Sequence, residues 1–244
     1  MKPRAWSHSA LETHDNCPEM YRHKYILKDL PPETKTPEQD WGIFVHEQFQ
    51  YKVERPGFTL PVDLKIHEPL LNKLITDGDQ PGCMVVAEQK VALSHKPFGP
   101  CGYFDKVKPV WWRGVIDVQV IDQNAGRARI VDYKTGKKKD DWCQLAENAL
   151  WVFAKYPFVN LVNAQYYWVQ HQTSKDKVDP EAISKKVWSR NEIDALWAMF
   201  TPKLAAYAQS FATDTFAKKQ SGLCRGWCPV TKCEFWEPKR EKRK

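Results

Sequence analysis

The stretch from Trp111 to Gly136, WWRGVIDVQVIDQNAGRARIVDYKTG, constrains the fold more than any other part of the chain. Two β-rich runs flank a turn signal at Asn124-Ala125-Gly126, the pattern of a β-hairpin. A loop centred between Asn124 and Ala125 sets Asp117 directly opposite Asp132, with Cβ atoms about 5 Å apart on one face. Lys134 follows Asp132 by two residues, and alternation along a strand carries it to the same face.

Two carboxylates held this close repel each other unless a cation or a shared proton neutralises them. Hard oxygen ligands select Mg²⁺ or Mn²⁺, ions that bind phosphate oxygens and make a coordinated water more acidic. Lys134 would then orient that water or stabilise charge building on the phosphate. The plainer alternative is a surface hairpin with solvated charges. Against it, Asp132 follows the apolar pair Ile130-Val131, where an unpaired charge near a core is costly.

Gly114-Val115-Ile116-Asp117 followed by Asp132-Tyr133-Lys134-Thr135-Gly136 resembles the motif pair of the PD-(D/E)XK nuclease superfamily, and specifically its RecB-like exonuclease branch. Ser7-His8-Ser9-Ala10-Leu11-Glu12, Cys17-Pro18 and Tyr21 resemble that branch's amino-terminal helix. Gly42 and His46 in WGIFVHE match the place of a histidine that can reach the metal, and Gln144-Leu145 resembles the start of a glutamine-bearing helix. These motifs are scattered over roughly residues 6–236, and their shared order gives them a weight that a lone Asp-x-Lys triplet lacks. One departure is Asn148, where the family's glutamine helix usually carries tyrosine. Glu88, after Val85-Val86-Ala87, resembles an acidic residue that often precedes the hairpin; it is given a secondary role, and a capped or solvated glutamate explains it nearly as well.

The resemblance implies an α/β, restriction-endonuclease-like core: a central mixed β-sheet flanked by helices. It implies a metal-dependent DNA exonuclease that hydrolyses phosphodiester bonds in recombination, repair or phage DNA processing. Asp117 and Asp132 would hold Mg²⁺ or Mn²⁺, with the Tyr133 carbonyl and His46 as further ligands; Lys134 would assist the water attack, and Gln144 would position DNA or the lysine. A nucleic-acid-binding module of this fold without catalysis, or an RNA-directed nuclease, are the competing readings.

Cys224, Cys228 and Cys233 form a C-x3-C-x4-C group inside GLCRGWCPVTKCEFW. Three thiolates leave a four-ligand site one short, and Cys17 is the candidate fourth, since it precedes Pro18 in the early motif. Iron-sulfur members of the branch, including the AddAB-type helicase-nucleases and the nucleases of CRISPR adaptation, use one early and three late cysteines. The resemblance therefore implies a 4Fe-4S cluster that brings the chain ends together, although the late spacing in those members is usually tighter. Zn²⁺ would be satisfied by the same four thiolates, and ordinary buried thiols are the third reading. Trp227 and Trp236 flank these cysteines and are expected to shield whatever they bind, whereas Cys83, Cys101 and Cys143 have no ligand-like spacing.

With 244 residues, 42% of them hydrophobic, the chain can bury one substantial core. We expect a single nuclease domain over residues 1–238: a helical part (1–80), a catalytic sheet core (81–171) and a carboxy-terminal helix with the Cys loop (184–238). A basic tail, 239–244, follows. The net charge of +7 favours a polyanionic partner, here DNA that is single-stranded or at ends. Lys137-Lys138-Lys139, directly after the Asp-x-Lys strand, is a candidate phosphate guide or a merely solvated loop. No apolar run approaches the about 20 residues that span a bilayer and no secretion signal is evident, so no membrane partner and a cytoplasmic location are expected. Without a G-x-x-x-x-G-K-[ST] loop, helicase activity would come from a partner. The eleven tryptophans invite a base-stacking role, but Trp111 and Trp112 cannot both face one side of a strand.

Periodicity and caps predict a short first helix capped by Ser9 with Glu12, a second from Pro18 to about Ile26, and helices near Asp40–Val53 and Glu68–Thr76. They then predict a strand through Val85–Leu93, the hairpin, a helix over Asp140–Lys155, a strand over Leu161–His171, and one long helix from near Ser189 towards Thr213.

Overall fold

A computed structural model describes residues 1, 3–170, 172–174 and 177–238. In chain order the main elements are α1 (His8–Asn16), α2 (Pro18–Tyr21, continued by a π-turn over Arg22–Leu27), α3 (Pro37–Glu54), α4 (Glu68–Gly78), β1 (Cys83–His95), β2 (Phe98–Pro100), β3 (Val110–Asp122) and β4 (Arg127–Lys134). These are followed by α5 (Cys143–Lys155), β5 (Leu161–Trp168), β6 (Gln172–Ser174), β7 (Lys177–Val178), β8 (Ile183–Ser189), α6 (Ile193–Ala198) and α7 (Thr201–Thr213). Two compact units result, one of residues 35–197 and one combining 1–34 with 198–244. The basic tail, 239–244, and His171 lie outside the described residues.

The larger unit is built on a six-stranded mixed sheet of order β2-β1-β3-β4-β5-β8. The β3–β4 hairpin has the predicted register, running from Asp122↔Arg127 to Val118↔Val131, because Gly126 takes a positive φ of 60° that a side chain would resist. β4 and β5 are parallel, and α5 makes the crossover between them. Val131 and Tyr133 of β4 join Val118 and Val120 of β3 in a core with Val45, Phe49 and Val53 of α3 and Leu71 and Leu74 of α4. Alternation therefore sends Ile130, Asp132 and Lys134 to the opposite face, which α5 covers. His67 is buried in the α3/α4 layer against the Tyr167 hydroxyl (2.6 Å), and burial lowers its pKa to about 4, so it is neutral at physiological pH.

α3 begins with a capping box in which Thr36 and Gln39 satisfy each other's backbone N–H, with Pro37 in the first turn. Gly42, one turn before His46, lets the helix lie against the end of β4: a Cβ there would sit 3.0 Å from Thr135 Oγ1.

In the smaller unit, α1 is capped by Ser7, not Ser9: Ser7 Oγ accepts from Ala10 N, while Ser9 lies inside the helix and takes a bond from Thr13 to its carbonyl. Tyr21 and Tyr207 share a buried hydroxyl–hydroxyl hydrogen bond of 2.7 Å, and His14 meets Ser210 at 3.0 Å, which fastens the early helices to α7.

Three further expectations need correction. The single long helix after Ser189 is interrupted at Met199-Phe200, because Pro202 cannot donate an intrahelical bond and starts α7 instead. The Ser189–Glu192 capping box does form, but it closes a single 3₁₀ turn. β8, which pairs antiparallel with β5 from Leu161↔Ser189 to Tyr167↔Ile183, had no place in the predicted element list. Its alternation is blurred by the consecutive polar run Ser184-Lys185-Lys186 of an edge strand. Finally, α5 starts at Cys143, three residues later than predicted, with Trp142 as N-cap and the Asp141 carboxylate just before it accepting from Cys143 N at 2.9 Å.

Candidate metal centre

The end of β4 assembles the first part of the site. Asp132 is only 2% exposed, and its Oδ1 accepts a 2.7 Å hydrogen bond from Gln144 Nε2 on the first turn of α5. Gln144 turns its other end to Lys134, whose Nζ donates to Oε1 at 2.8 Å. Lys134 Nζ also lies 2.6 Å from Asp132 Oδ2, an ion-pair contact whose direction leaves that buried oxygen without a hydrogen bond. The ammonium sits over the Tyr166 ring, 5.3 Å from its centroid, and Trp142 packs against the same tyrosine. Asp132, Lys134 and Gln144 thus form one interlocked triad held by one strand, β4, and the first turn of α5.

The second part comes from β1, β3 and α3. Asp117, 7% exposed, accepts from the Tyr133 backbone N–H at 2.7 Å, a cross-strand contact just beyond the last paired rung. His46 Nδ1 lies 3.4 Å from Asp117 Oδ2 and 3.4 Å from Glu88 Oε1, while Nε2 reaches the Tyr133 carbonyl at 3.0 Å. Ligand atoms of His46, Glu88 and Asp117 all lie within 4.8 Å of one another. Asp132 stands beside this trio, drawn towards Lys134 and Gln144.

Glu88, given a secondary role from the sequence, stands within ligand distance of His46 and Asp117. It falls opposite Asp117, between the rungs Ala87↔Val118 and Gln89↔Ile116, and leaves the ladder with a left-handed φ of 45°. A non-glycine residue there costs about 1–3 kcal/mol, so the fold holds this carboxylate in a strained position. Nothing in its local sequence, an acid at the end of an apolar run, signals that conformation.

The electrostatics follow from crowding. Burial, then the charge of Asp132, raise the Asp117 carboxyl well above the usual carboxylate range. Burial alone would lower the His46 pKa, but the Glu88 hydrogen bond and the charges of Asp117, Glu88 and Asp132 overcome it and push it up to about 9. The cluster therefore demands positive charge. An oxygen-rich set with one imidazole, as His46, Glu88 and Asp117 provide, suits a hard divalent cation. Because an imidazolium cannot ligate, cation binding through His46 would release its proton.

The remaining predicted residues divide. Lys137, Lys138 and Lys139 are exposed on the loop after β4, and Lys138 Nζ reaches the Glu181 carbonyl at 3.2 Å. Asn148 is buried, and a Cβ on Gly114 would meet its Oδ1 at 3.5 Å, so it packs between α5 and β3 and presents nothing to a ligand. Trp112 is buried and donates to Glu147 at 2.9 Å, while Trp111 packs beside His95 and Trp197.

In the smaller unit, Cys17, Cys224, Cys228 and Cys233 line one small cavity with Met20, Leu223, Val230 and Trp236. All seven cysteines are free thiols, and burial raises the Cys228 thiol. Among the described residues no three of the cysteine sulfurs lie within 4.8 Å of one another. Trp236 lines the cavity and donates to the Cys228 carbonyl at 3.2 Å, but Trp227 is 66% exposed and takes no part in it, a correction to its expected shielding role.

Among the described residues no helix is long and apolar enough to cross a membrane. A profile of the PD-(D/E)XK nuclease superfamily matches residues 79–233, which include Glu88, Asp117, Asp132, Lys134 and Gln144. No curated protein matches the chain. A solved structure titled "Crystal structure of SSO0001" aligns with a TM-score of 0.45 at 10% identity, covering 96% of this chain and 88% of that one, a likeness too weak to bear on the chemistry.

Proposed function

The chain belongs to the PD-(D/E)XK nuclease superfamily, and from that premise we propose that it is a Mg²⁺- or Mn²⁺-dependent deoxyribonuclease of the RecB-like branch that acts as an exonuclease on DNA ends or single strands. The observation that carries this reading is the interlocked Asp132–Lys134–Gln144 triad beside the His46–Glu88–Asp117 cluster. Asp117, Asp132 and His46 would hold the ion, with Glu88 and the Tyr133 carbonyl as further oxygen donors. A bound divalent ion supplies Lewis acidity towards a phosphate oxygen and a more acidic water. Lys134 neutralises charge on the phosphate as the scissile bond breaks, and Gln144 fixes its ammonium by accepting at 2.8 Å. Lys137 and Lys139, exposed beyond the strand end, would guide the backbone towards these groups.

The cavity in the smaller unit supports a 4Fe-4S cluster held by Cys17, Cys224, Cys228 and Cys233, as in iron-sulfur members of the branch. The same four thiolates would also satisfy a zinc tetrahedron, the alternative that metal analysis separates. Protein purified without oxygen should be brown and carry iron, and Cys224→Ser should lose both; colourless protein carrying one zinc would replace this reading. A cluster of this kind fits a reducing, cytoplasmic setting, and a helicase would be a partner for such an end-processing enzyme.

The activity is tested with linear single-stranded DNA, linear duplex, circular single strands and RNA, each with Mn²⁺. The proposal predicts release of short products from linear single-stranded DNA and little from circles. Cleavage of circles would make the enzyme an endonuclease, and cleavage of RNA alone would redirect it to RNA.

A further inference from the structure

Beyond the last β3–β4 rung at Val118↔Val131, the outer part of β3 pairs, among the described residues, with β1 alone, and the loop 101–109 between β2 and β3 closes the end of this ribbon. That loop exposes apolar surface unusual for a connection: Phe104 is 72% exposed and Val107 92%, with Phe98 of β2 at 54% beside them in the chain. Lys96, Lys106 and Lys108 are exposed along the same stretch. Its one acid, Asp105, is bonded to the loop's own backbone, accepting from Gly102 N at 3.2 Å and from Val107 N and Lys108 N at 2.8 Å each. Those N–H groups lower its pKa, so Asp105 stays ionised, and Lys96, Lys106 and Lys108 outnumber it along the stretch. The loop is also pinned from below: Arg113 donates to the Tyr103 carbonyl at 2.8 Å and its guanidinium lies 5.5 Å from the Tyr103 and Phe104 ring centroids. A rigid loop offering an open aromatic face between lysines is complementary to unpaired bases and the phosphates that flank them.

We propose that the β2–β3 loop is a docking platform for single-stranded DNA, in which Phe104 stacks on an unpaired base while Lys106 and Lys108 pair with neighbouring phosphates. The inference rests on the nuclease reading for its choice of ligand. The loop leads into β3, on which Trp111 is six residues from Asp117, about 20 Å of strand. A strand held here would be gripped a few nucleotides away from the bond being cut, which suits an enzyme that trims single strands.

The test is fluorescence anisotropy with a labelled thymidine oligonucleotide, in chelator so that nothing is cut, on the full chain. Phe104→Ala, at an exposed position, should weaken binding about tenfold with thermal stability unchanged. Lys106→Ala combined with Lys108→Ala should reduce the slope of log affinity against log salt by about 1.4, the release expected from two phosphate contacts on a single strand. Unchanged affinity in Phe104→Ala, or an equal loss for blunt duplex, overturns the proposal and leaves the patch to a protein partner. A chain that binds as predicted yet cuts nothing with Mn²⁺ would count against the nuclease reading alone, because the anisotropy is independent of cleavage.

Discussion

Lys134→Ala is expected to lower the rate of DNA cleavage by about 10²–10³ while leaving Mn²⁺ and DNA affinity within a few fold. The lysine is the one cation fixed in the triad by three contacts, to Asp132, Gln144 and the Tyr166 ring. Its removal leaves Asp132 with the Gln144 hydrogen bond that orients it, so ion binding should survive. What is lost is a positive charge placed where a pentavalent phosphate would accumulate negative charge, a stabilisation that matters only as the bond breaks. Single-turnover cleavage on a labelled single strand, alongside titration calorimetry with Mn²⁺, separates the two effects. A variant cutting within threefold of the original would remove Lys134 from the chemistry.

Asp117→Asn should abolish detectable cleavage yet leave the fold in chelator at least as stable as the original. The carboxyl is buried, and Asp132 raises its pKa further, so at neutral pH folding must either hold a charge in an unfavourable site or take up a proton, a cost that a neutral amide avoids. Asparagine keeps an oxygen for the Tyr133 N–H, whose 2.7 Å bond ties β3 to β4 past the end of the ladder. Relief of about 1 kcal/mol would raise the melting temperature by about 2–4 °C in a protein of this size. Saturating Mn²⁺ at about 100 times its Kd should stabilise the original chain by about 2.7 kcal/mol and the variant by far less. Differential scanning fluorimetry with and without Mn²⁺ reads both halves. A variant that melts several degrees lower in chelator would mean that Asp117 is a structural acid.

What could be read from the sequence was whatever rests on short-range rules. The hairpin register follows from one turn and strict two-residue alternation, so the face shared by Asp132 and Lys134 and the place of Asp117 across from Asp132 follow by counting from Asn124 and Ala125, whereas the Asp117 bond to the Tyr133 N–H does not. His46 and Gln144 were found by resemblance, and both stand among the groups they were expected to join. The rest depends on tertiary context. Glu88 earns its place through a left-handed backbone opposite Asp117 that no local propensity favours, and Tyr166 and Trp142 come to Lys134 only after α5 crosses from β4 to β5. The missed strand β8 is a polar edge whose pattern is set by its neighbour, and the break before α7 falls at Pro202, which the Ser189 capping signal does not reveal. Ser7 and Ser9 are equally good caps by type; only the chain geometry at Ser7, extended at φ −136°, decides between them.

The central claim is that buried acids on adjoining strands gather a divalent ion beside Lys134 so that a phosphodiester can be hydrolysed. The most direct measurement is cleavage of an end-labelled single-stranded DNA by the unsubstituted protein, with Mn²⁺ titrated in and then withdrawn by chelator. The account predicts no cleavage in chelator, a rate that rises and saturates with Mn²⁺, and loss of activity on chelation that added Mn²⁺ restores. Cleavage that proceeds at the same rate in chelator, or DNA that is bound but never cut at any Mn²⁺ concentration, would contradict it.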